Sequence, residues 1–371
     1  MKACKRCIID INDDPNLILN TSGICNHCIT YDENILKYYK GDDEELKDFK
    51  NLINLIKKEG KGKKYDALIG LSGGVDSTFV ASLCMKYKLR VLAVHLDNGW
   101  NSELSVVNIK NILKRTQYDL YTHVIKWAEF RDLQRSFFKA NVIDIELLTD
   151  HAIGTILKRV AKKNKIKYIL NGSSITTEGR LPNHWIHNKS DSLNIRKIHK
   201  TFGSEKIKTF PIRKSFSISL KKEPIKTVSI LDLYPYNKPK AKEMIIDEFE
   251  WRDYGGKHYE SIFTRFYQAY ILPKKFNVDK RKSHYSTLIC AGQLSRNDAI
   301  ELMKEETYPD KNLETSDYNF VLKKMGFTEE EFDTYIKSPR IEHSYYGSIE
   351  NYYDIIRPFY RGFKRILKKI K

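Results

Sequence analysis

Residues 65–79, YDALIGLSGGVDSTF, decide the fold of this chain. An apolar run ends at Leu71, Gly73 and Gly74 follow, and a helix-forming segment comes next. A strand, a glycine turn and a helix N-terminus together form an anion site, because free backbone N–H groups point out of the turn. Glycine also lets the backbone approach a phosphate closely. The stretch therefore predicts a phosphate-binding corner.

Polar side chains around the two glycines support this prediction. Ser72 and Ser77 offer hydroxyl donors, and we expect Asp76 to hold a Mg²⁺ ion that bridges to phosphate. The loop is not a Walker A loop, because the lysine of that motif is missing. The alternative is a strand–turn–helix corner without a ligand, but such a corner has no need of two serines and an aspartate.

Alternating strand and helix patterns continue beyond the corner. They predict strands at 67–71, 91–96, 121–125, 167–170 and 228–233, and helices at 76–87, 102–116 and 147–164. This alternation is typical of an α/β fold, here a parallel five-stranded sheet flanked by helices. Ligands of such sheets bind beyond the carboxyl ends of the strands, so the informative residues should follow the strands.

Two segments at strand ends carry candidate nucleotide contacts. Leu96 and Asp97 end the second predicted strand, and the alternative for Asp97 is a turn residue before Asn-Gly. Gly172 follows the fourth strand and begins a turn rich in hydroxyl side chains. His151 lies early in a predicted helix, and the sequence leaves open whether it packs against its neighbours or faces the pocket.

Four cysteines near the N-terminus form two C-x2-C pairs, Cys4 with Cys7 and Cys25 with Cys28. Their spacing predicts a closed tetrahedral Zn²⁺ site of the structural type. A redox pair is the alternative, but one C-x2-C would suffice for it and no strand–CxxC–helix context is present.

The 371 residues carry a formal net charge of +18. Such an excess attracts nucleotides, nucleic acid and acidic sugars without choosing among them. The basic residues are spread along the chain, so nucleic acid is not the expected partner. No apolar stretch is long enough to span a membrane and no signal peptide is recognisable, which predicts a cytoplasmic protein without membrane insertion.

Composition and pattern predict four regions along the chain. They are a zinc ribbon at 1–33, a helical connector at 34–62, a nucleotide-binding domain at 63–240 and a C-terminal helical region at 241–371 on the substrate and pyrophosphate side. Residues 181–227 show no periodicity, which favours a lid or a substrate-binding insertion.

Two stretches of the C-terminal region, 250–261 and 279–284, combine aromatic, basic and histidine side chains. Basic groups near an ATP site neutralise pyrophosphate and assist proton transfer. The alternative is an aromatic helical core with a solvated basic turn. The predicted catalytic residues are Asp76, Lys257, His258, Lys280 and Arg281.

Eight motifs in combination point to one family. They are the paired C-x2-C, SGGVDS, LDNGWN, NGSSITTEG, YPYNK, WRDYGGKHYES, FYQAYILPKKF and DKRKSH. Together they resemble the N-acetyl sugar amidotransferase family of WbpG- and PseA-like proteins, within the PP-loop ATP pyrophosphatases, whose sheet is of the adenine nucleotide alpha hydrolase type. The resemblance extends from Cys4 to about Met303. It departs at Cys290-Ala291-Gly292-Gln293, where Ser-Gly-Gln is expected, and we give Cys290 no role.

The resemblance implies conversion of an acetamido group of a bacterial surface-polysaccharide or flagellin sugar to an acetamidino group. ATP would adenylate the amide oxygen and release pyrophosphate, and ammonia would then displace AMP. The substrate would be a nucleotide-linked or free N-acetyl sugar, and a partner glutaminase with a cyclase-like protein would supply ammonia. The residues expected to bind ATP and pyrophosphate are Leu71, Ser72, Gly73, Gly74, Asp76, Ser77, Leu96, Asp97 and Gly172.

A tRNA-modifying PP-loop enzyme, either a thiolase or a lysidine-type synthetase, is the second interpretation. The charge of +18 would then bind RNA. A thiolase needs a sulfur-carrying cysteine, and only Cys84 and Cys290 lie outside the paired motifs. Neither is well placed by sequence for persulfide chemistry, which favours the amidotransferase.

Overall fold

The computed structural model describes residues 3–38, 42–178, 182–213, 225–256 and 259–352. Two of the predicted catalytic residues, Lys257 and His258, lie outside these residues. The predicted division into four regions stays a prediction.

The first half of the chain alternates strands and helices after two N-terminal helices. The elements are α1 Asn26–Tyr38, α2 Asp42–Gly60, β1 Ala67–Gly70, α3 Val75–Lys86, β2 Val91–Asp97, α4 Glu103–Thr116, β3 Asp119–Val124, α5 Trp127–Lys139, α6 Leu147–Lys163 and β4 Tyr168–Asn171. The helices predicted at 76–87, 102–116 and 147–164 are therefore confirmed to within one residue at each end.

The second half is mostly helical. Its elements are α7 Ser192–Phe202, β5 Lys226–Ser229, α8 Lys238–Phe249, α9 Ile262–Phe266, α10 Leu272–Phe276, α11 Lys280–Cys290, α12 Arg296–Leu302, α13 Lys311–Met325 and α14 Glu329–Lys337. A π-helical turn, Tyr267–Ile271, joins α9 to α10.

The five strands form one parallel sheet, as predicted, and the structure shows their order to be β3-β2-β1-β4-β5. Leu68 pairs with Leu92 on one side and with Ile169 on the other. The central strands are buried on both faces, which explains why they read as continuous apolar runs in the sequence. The fifth strand begins and ends earlier than predicted, because residues Ile230–Leu233 form a 3₁₀ turn.

Helices cover both faces of the sheet. On one face, Leu68 packs with Ile156 and Val160 of α6. On the other, Ile69 joins a core that includes buried Phe49 and Ile53 of α2. Helix α2, in the segment predicted as a helical connector, is therefore part of the sheet's packing.

The C-terminal helices build a separate core with α5 and α7. Phe138, Phe263, Phe266 and Phe332 are among its fully buried rings. The described part of the 181–227 segment contains the 3₁₀ turn Asn183–Trp185 and helix α7. These elements belong to this core, since Trp185 is buried in it. No helix among the described residues is long and apolar enough for a membrane crossing.

Candidate functional site

The glycine corner lies between β1 and α3, at the carboxyl edge of the sheet. Gly73 has φ +80°, a conformation that side chains rarely adopt, and a Cβ built there would lie 2.6 Å from the Ser105 carbonyl oxygen. The Trp251 indole nitrogen donates a hydrogen bond to the Gly73 carbonyl at 2.9 Å. Only glycine fits this position, and α4 and Trp251 fix its backbone from outside the motif.

The two serines of the corner bond to each other and to the loop. Their hydroxyl oxygens are 3.1 Å apart, and Ser77 Oγ also accepts from the Ser72 amide at 3.3 Å. Ser77 donates to the Gly74 carbonyl at 3.1 Å, and the Gly74 amide donates to Ser72 Oγ at 3.2 Å. Ser72 is exposed, so its hydroxyl is available to a phosphate in front of the loop.

Asp76 lies in the first turn of α3, and its carboxylate contacts two donor side chains. One donor lies just before α8 and the other is the first residue of α8. The Tyr236 hydroxyl donates to Asp76 Oδ1, and Lys238 Nζ lies 2.9 Å from Oδ2. Burial and the neighbouring carboxylate raise the pKa of Tyr236, so this phenol stays a donor. The assignment of Mg²⁺ to Asp76 stays a prediction, and it requires Lys238 to release Oδ2.

The loop after β2 is held by local hydrogen bonds. Asp97 Oδ1 accepts from the Gly99 amide at 2.9 Å and from the Asn101 side chain at 3.3 Å. His95 bonds to the Leu71 carbonyl at 2.9 Å and to Asn101 at 3.0 Å, which joins β2 to the start of the corner. Asp97 thus has the turn role that the sequence offered as an alternative, and its nucleotide contact stays a prediction.

The turn after β4 approaches the corner from the other side. A Cβ built on Gly172 would lie 2.9 Å from the carbonyl carbon of Asp76, so a side chain there would collide with the first turn of α3. The prediction that Gly172 lies at the nucleotide edge agrees with this contact. His151, by contrast, is fully buried and bonded to the Lys189 carbonyl at 2.9 Å and to the Arg213 amide at 3.1 Å. Of the two alternatives, it packs.

The start of the C-terminal helical region closes over the corner. The Ser102 amide donates to the Glu260 carbonyl, and the Ile262 amide donates to the Trp100 carbonyl, both at 2.9 Å. A Cβ on Gly74 would lie 3.2 Å from both Glu260 Oε1 and the Tyr254 hydroxyl. These side chains therefore border the space in front of the glycines.

The four paired cysteines come together as predicted. Their sulfur atoms lie within 4.8 Å of one another and are buried, with Cys4 3.9 Å from Cys28 and Cys7 3.7 Å from Cys25. A tetrahedral ion with Zn–S bonds of about 2.3 Å requires sulfur separations of roughly 3.8 Å. The set therefore fits a structural Zn²⁺ ion. Cys290 Sγ lies outside it, 3.6 Å from Cys28 Sγ.

The two predicted catalytic side chains of α11, Lys280 and Arg281, contact residues outside the glycine corner. Arg281 is bonded to Asp279 at 2.7 Å and to the carbonyls of Glu305 and Glu306 at 2.9 and 3.2 Å. Lys280 lies over the Tyr267 ring, 5.4 Å from its centroid. Both catalytic roles stay predictions, and the contacts of Arg281 supply a structural reason for its presence.

Three side chains at the corner were missed by sequence reasoning, namely Tyr236, Lys238 and Trp251. Each lies in a motif that was quoted for the family resemblance, YPYNK or WRDYGGKHYES. Their distance from the corner along the chain hid the contact.

The fold and site define a nucleotide-binding PP-loop protein of the ATP-using, ligase-like class. Two family models match the chain: the C-terminal domain of LPS biosynthesis protein WbpG-like proteins over residues 260–359, and NAD synthase over residues 47–146. The second match contains the glycine corner, and the first begins at the segment that closes over it. Each match covers less than half of the chain, and together they support the WbpG-like PP-loop family.

The individual relatives share little sequence identity with this chain. An uncharacterized protein of Methanocaldococcus jannaschii is 25% identical over 302 residues, which cover 79% of this chain and 90% of the relative. Among solved structures, the U34-tRNA thiolase NcsA of Methanococcus maripaludis, with its [4Fe-4S] cluster, is 13% identical, with a TM-score of 0.35 over 82% of this chain and 89% of that one.

Two synthetases are similar at the same level. The NH3-dependent NAD synthetase of Campylobacter jejuni is 14% identical, with a TM-score of 0.30 over 80% of this chain and 98% of its own. The NMN synthetase of Francisella tularensis is 20% identical with a TM-score of 0.29. That match covers 35% of this chain, which spans just over half (56%) of the Francisella chain.

Proposed function

We propose that the protein uses ATP to activate the oxygen of an N-acetyl group on a sugar and replaces that oxygen with nitrogen. The amide oxygen attacks the α-phosphorus, pyrophosphate leaves, and ammonia then adds to the same carbon and displaces AMP. An acetamido group becomes an acetamidino group. An amide is a poor electrophile, and adenylation is what makes its oxygen a leaving group.

One observation supports this most strongly: the WbpG-like domain begins at Glu260, which borders the glycine corner. Adenylation needs the amide oxygen in line with the α-phosphate and needs stabilisation of the leaving pyrophosphate. The backbone amides of the corner, Ser72, Ser77 and Lys238 provide donors and positive charge for the pyrophosphate. Mg²⁺ would add charge neutralisation on the phosphate oxygens.

The second interpretation, tRNA thiolation, has little support from the remaining cysteines. Cys84 is fully buried within α3, and burial raises the pKa of its thiol to about 12. Cys290 lies against Cys28 of the proposed zinc site. Neither thiol is exposed beside the corner as a sulfur carrier.

The test uses the full chain with ATP, MgCl₂, ammonium chloride and a panel of free and UDP-linked N-acetylamino sugars. We expect sugar-dependent release of AMP and pyrophosphate. Heavy oxygen placed in the acetyl carbonyl should appear in the phosphate of AMP. Release of ADP and orthophosphate, or AMP formation that depends on tRNA and not on sugar, would overturn the proposal.

The ammonia source is proposed as a separate glutaminase with a cyclase-like partner. Adding such a pair with glutamine should replace ammonium chloride in the assay. If glutamine supports turnover by the purified chain alone, the partner assignment is wrong while the adenylation chemistry stands.

A further inference from the structure

Five charged side chains gather where the first turn of α6 meets α9 and α11. We call this group the inner acid–base cluster, and its members are Asp144, Glu146, Asp150, Lys189 and Lys280. Asp144 is buried, and its carboxylate binds Lys189 Nζ at 2.7 and 2.8 Å. Lys189 also contacts Asp150 at 3.1 Å. These three residues satisfy one another.

Glu146 and Lys280 are different. Glu146 Oε1 accepts a hydrogen bond from the Thr264 hydroxyl at 2.6 Å. Within the described ranges, Lys280 Nζ makes no hydrogen bond and no ion pair, and the Tyr267 ring is its contact at 5.4 Å. Among the described residues, neither side chain is bonded to an opposite charge, unlike the three residues above.

Short contacts connect this cluster to the glycine corner. Thr264 lies on α9, four residues after Glu260, the side chain that borders Gly74. The Asn98 side chain, just after β2, donates to Thr149 of α6 at 3.1 Å. Glu146 is therefore fixed from both sides to elements that border the proposed ATP site.

The proposed reaction needs a group of this kind. When ammonia adds to the activated carbon, the nitrogen gains positive charge, and a proton must leave before AMP departs. A carboxylate in reach of the nitrogen takes this proton. Asp76, the carboxylate of the loop itself, is engaged by Tyr236 and Lys238, and Glu260 lies against Gly74.

We infer that Glu146 is the catalytic base that accepts the proton of the attacking nitrogen, and that Lys280 is a positioning residue that keeps Glu146 ionised. This inference rests on the proposed function. The C–N bond forms as ammonia adds, one N–H proton passes to the Glu146 carboxylate, and the C–O bond to AMP breaks with its electron pair on AMP. The proton later passes to solvent.

The charges around Glu146 agree with this role. Burial raises the pKa of Glu146, while the positive charge of Lys280 opposes the rise. Lys189 also lowers this pKa and Asp150 raises it. Asp144 is neutralised by Lys189, and the buried Tyr267 has a raised pKa and stays uncharged. Since a base must be ionised, turnover should rise with pH through the pKa of Glu146.

The experiment separates the two chemical steps. Sugar-dependent exchange of labelled pyrophosphate into ATP reports adenylation, and amidine formation with ammonium chloride reports the second step. Glu146→Gln keeps the acceptor for Thr264, so we expect exchange within about twofold of wild type. Amidine formation should fall by roughly 100-fold or more and lose the acidic limb of its pH profile. Glu146→Asp should recover part of the rate and the limb.

Lys280→Met provides a second, independent measurement. Removing this positive charge should move the acidic limb of amidine formation to higher pH, and Lys280→Arg should restore it. Lys274→Met is the matched control, because Lys274 is an exposed lysine of α10 that is paired with Glu314. It should leave the profile unchanged.

Several outcomes would overturn the inference. If Glu146→Gln forms the amidine at the wild-type rate, Glu146 is not the catalytic base. An equal loss of exchange and amidine formation in that variant would indicate a structural role, as would an unmoved pH limb in Lys280→Met. If wild-type protein shows no sugar-dependent exchange at all, the proposed function itself fails, and the inference fails with it.

Discussion

The glycine corner and helix α11 carry two of the chain's most distinctive motifs, SGGVDS and DKRKSH, and they use their side chains in opposite ways. In the corner, Ser72 and Ser77 bond to each other and to the loop between them. In α11, neighbouring side chains reach separate parts of the molecule. Lys282 binds Asp13 of the ribbon at 2.8 Å, and His284 binds the Thr177 carbonyl after β4 at 3.1 Å.

This difference separates two kinds of motif. A loop whose bonds are local makes a site by itself, and its function can be interpreted from the motif. The side chains of α11 point in different directions and connect several parts of the molecule. These parts are the ribbon, the inner acid–base cluster, the loop after β4 and the chain at residues 305–306. Changes in the corner should affect chemistry first, whereas changes of Arg281, Lys282 and His284 in α11 should affect packing first.

The largest effect is expected for Gly73→Ala. The new Cβ would meet the Ser105 carbonyl and sit on a backbone with positive φ, so the corner would shift. We expect AMP formation to fall by more than about 100-fold, because small displacements of the reacting groups are costly. Gly62→Ala is the control, since Gly62 has φ +78° with nothing within 4 Å of its Cβ position. Equal losses in both variants would show that backbone strain alone is responsible.

Removal of one ribbon ligand should be next in size. Cys4→Ser should abolish bound zinc, measured by metal analysis of the purified protein, because a structural site needs all four thiolates. The ribbon contacts α11 through Ile8 and Lys282, so thermal stability should also fall. Cys290→Ser should keep the metal. Loss of zinc from this second variant would make Cys290 a ligand and would contradict the four-thiolate assignment.

An intermediate effect is expected for Lys238→Met. The change removes the positive charge from Asp76 Oδ2 and from the proposed pyrophosphate position. We expect kcat for AMP formation to fall by about 10- to 100-fold, as is usual for a lost charge-stabilising donor. Lys242→Met, on the same helix and paired with Asp253, is the control. Similar kinetics in the two variants would remove Lys238 from the site.

The smallest effect on chemistry is expected for Arg281→Ala. Its guanidinium joins Asp279 to two carbonyls, so its loss should lower the free energy of unfolding by about 1–3 kcal/mol, measured by denaturant titration. Turnover at saturating substrate should change by less than about threefold. A tenfold loss of turnover in folded protein would restore the catalytic role predicted from sequence and would weaken the contrast between α11 and the corner.

Much of the fold follows from patterns that are local in sequence. The first four strands and the three predicted helices were placed to within about two residues, because buried parallel strands are short apolar runs bounded by glycine and helix caps. The fifth strand was misplaced by about two to four residues, because Ile230 and Leu231 are equally apolar in a 3₁₀ turn. Burial alone does not distinguish these two conformations.

The site was predicted in part. The residues of the corner, Gly172 and the four cysteines lie where the motifs place them. Tyr236, Lys238 and Trp251 were missed because they reach the corner from more than 150 residues away, as with the 160 positions that separate Asp76 from Tyr236. Glu146 was missed because no motif surrounds it.

The sequence by itself determined the glycine corner, the thiol set and the order of strands and helices, since each depends on neighbours within a few residues or on fixed spacing. Only the tertiary structure decided which side chains contact Asp76 and which residues the side chains of α11 bind. It also decided that Glu146 of the inner acid–base cluster bonds to the Thr264 hydroxyl. The physical reason is that these contacts join segments far apart in the chain, and hydrophobic packing of the helices brings them together without regard to their spacing.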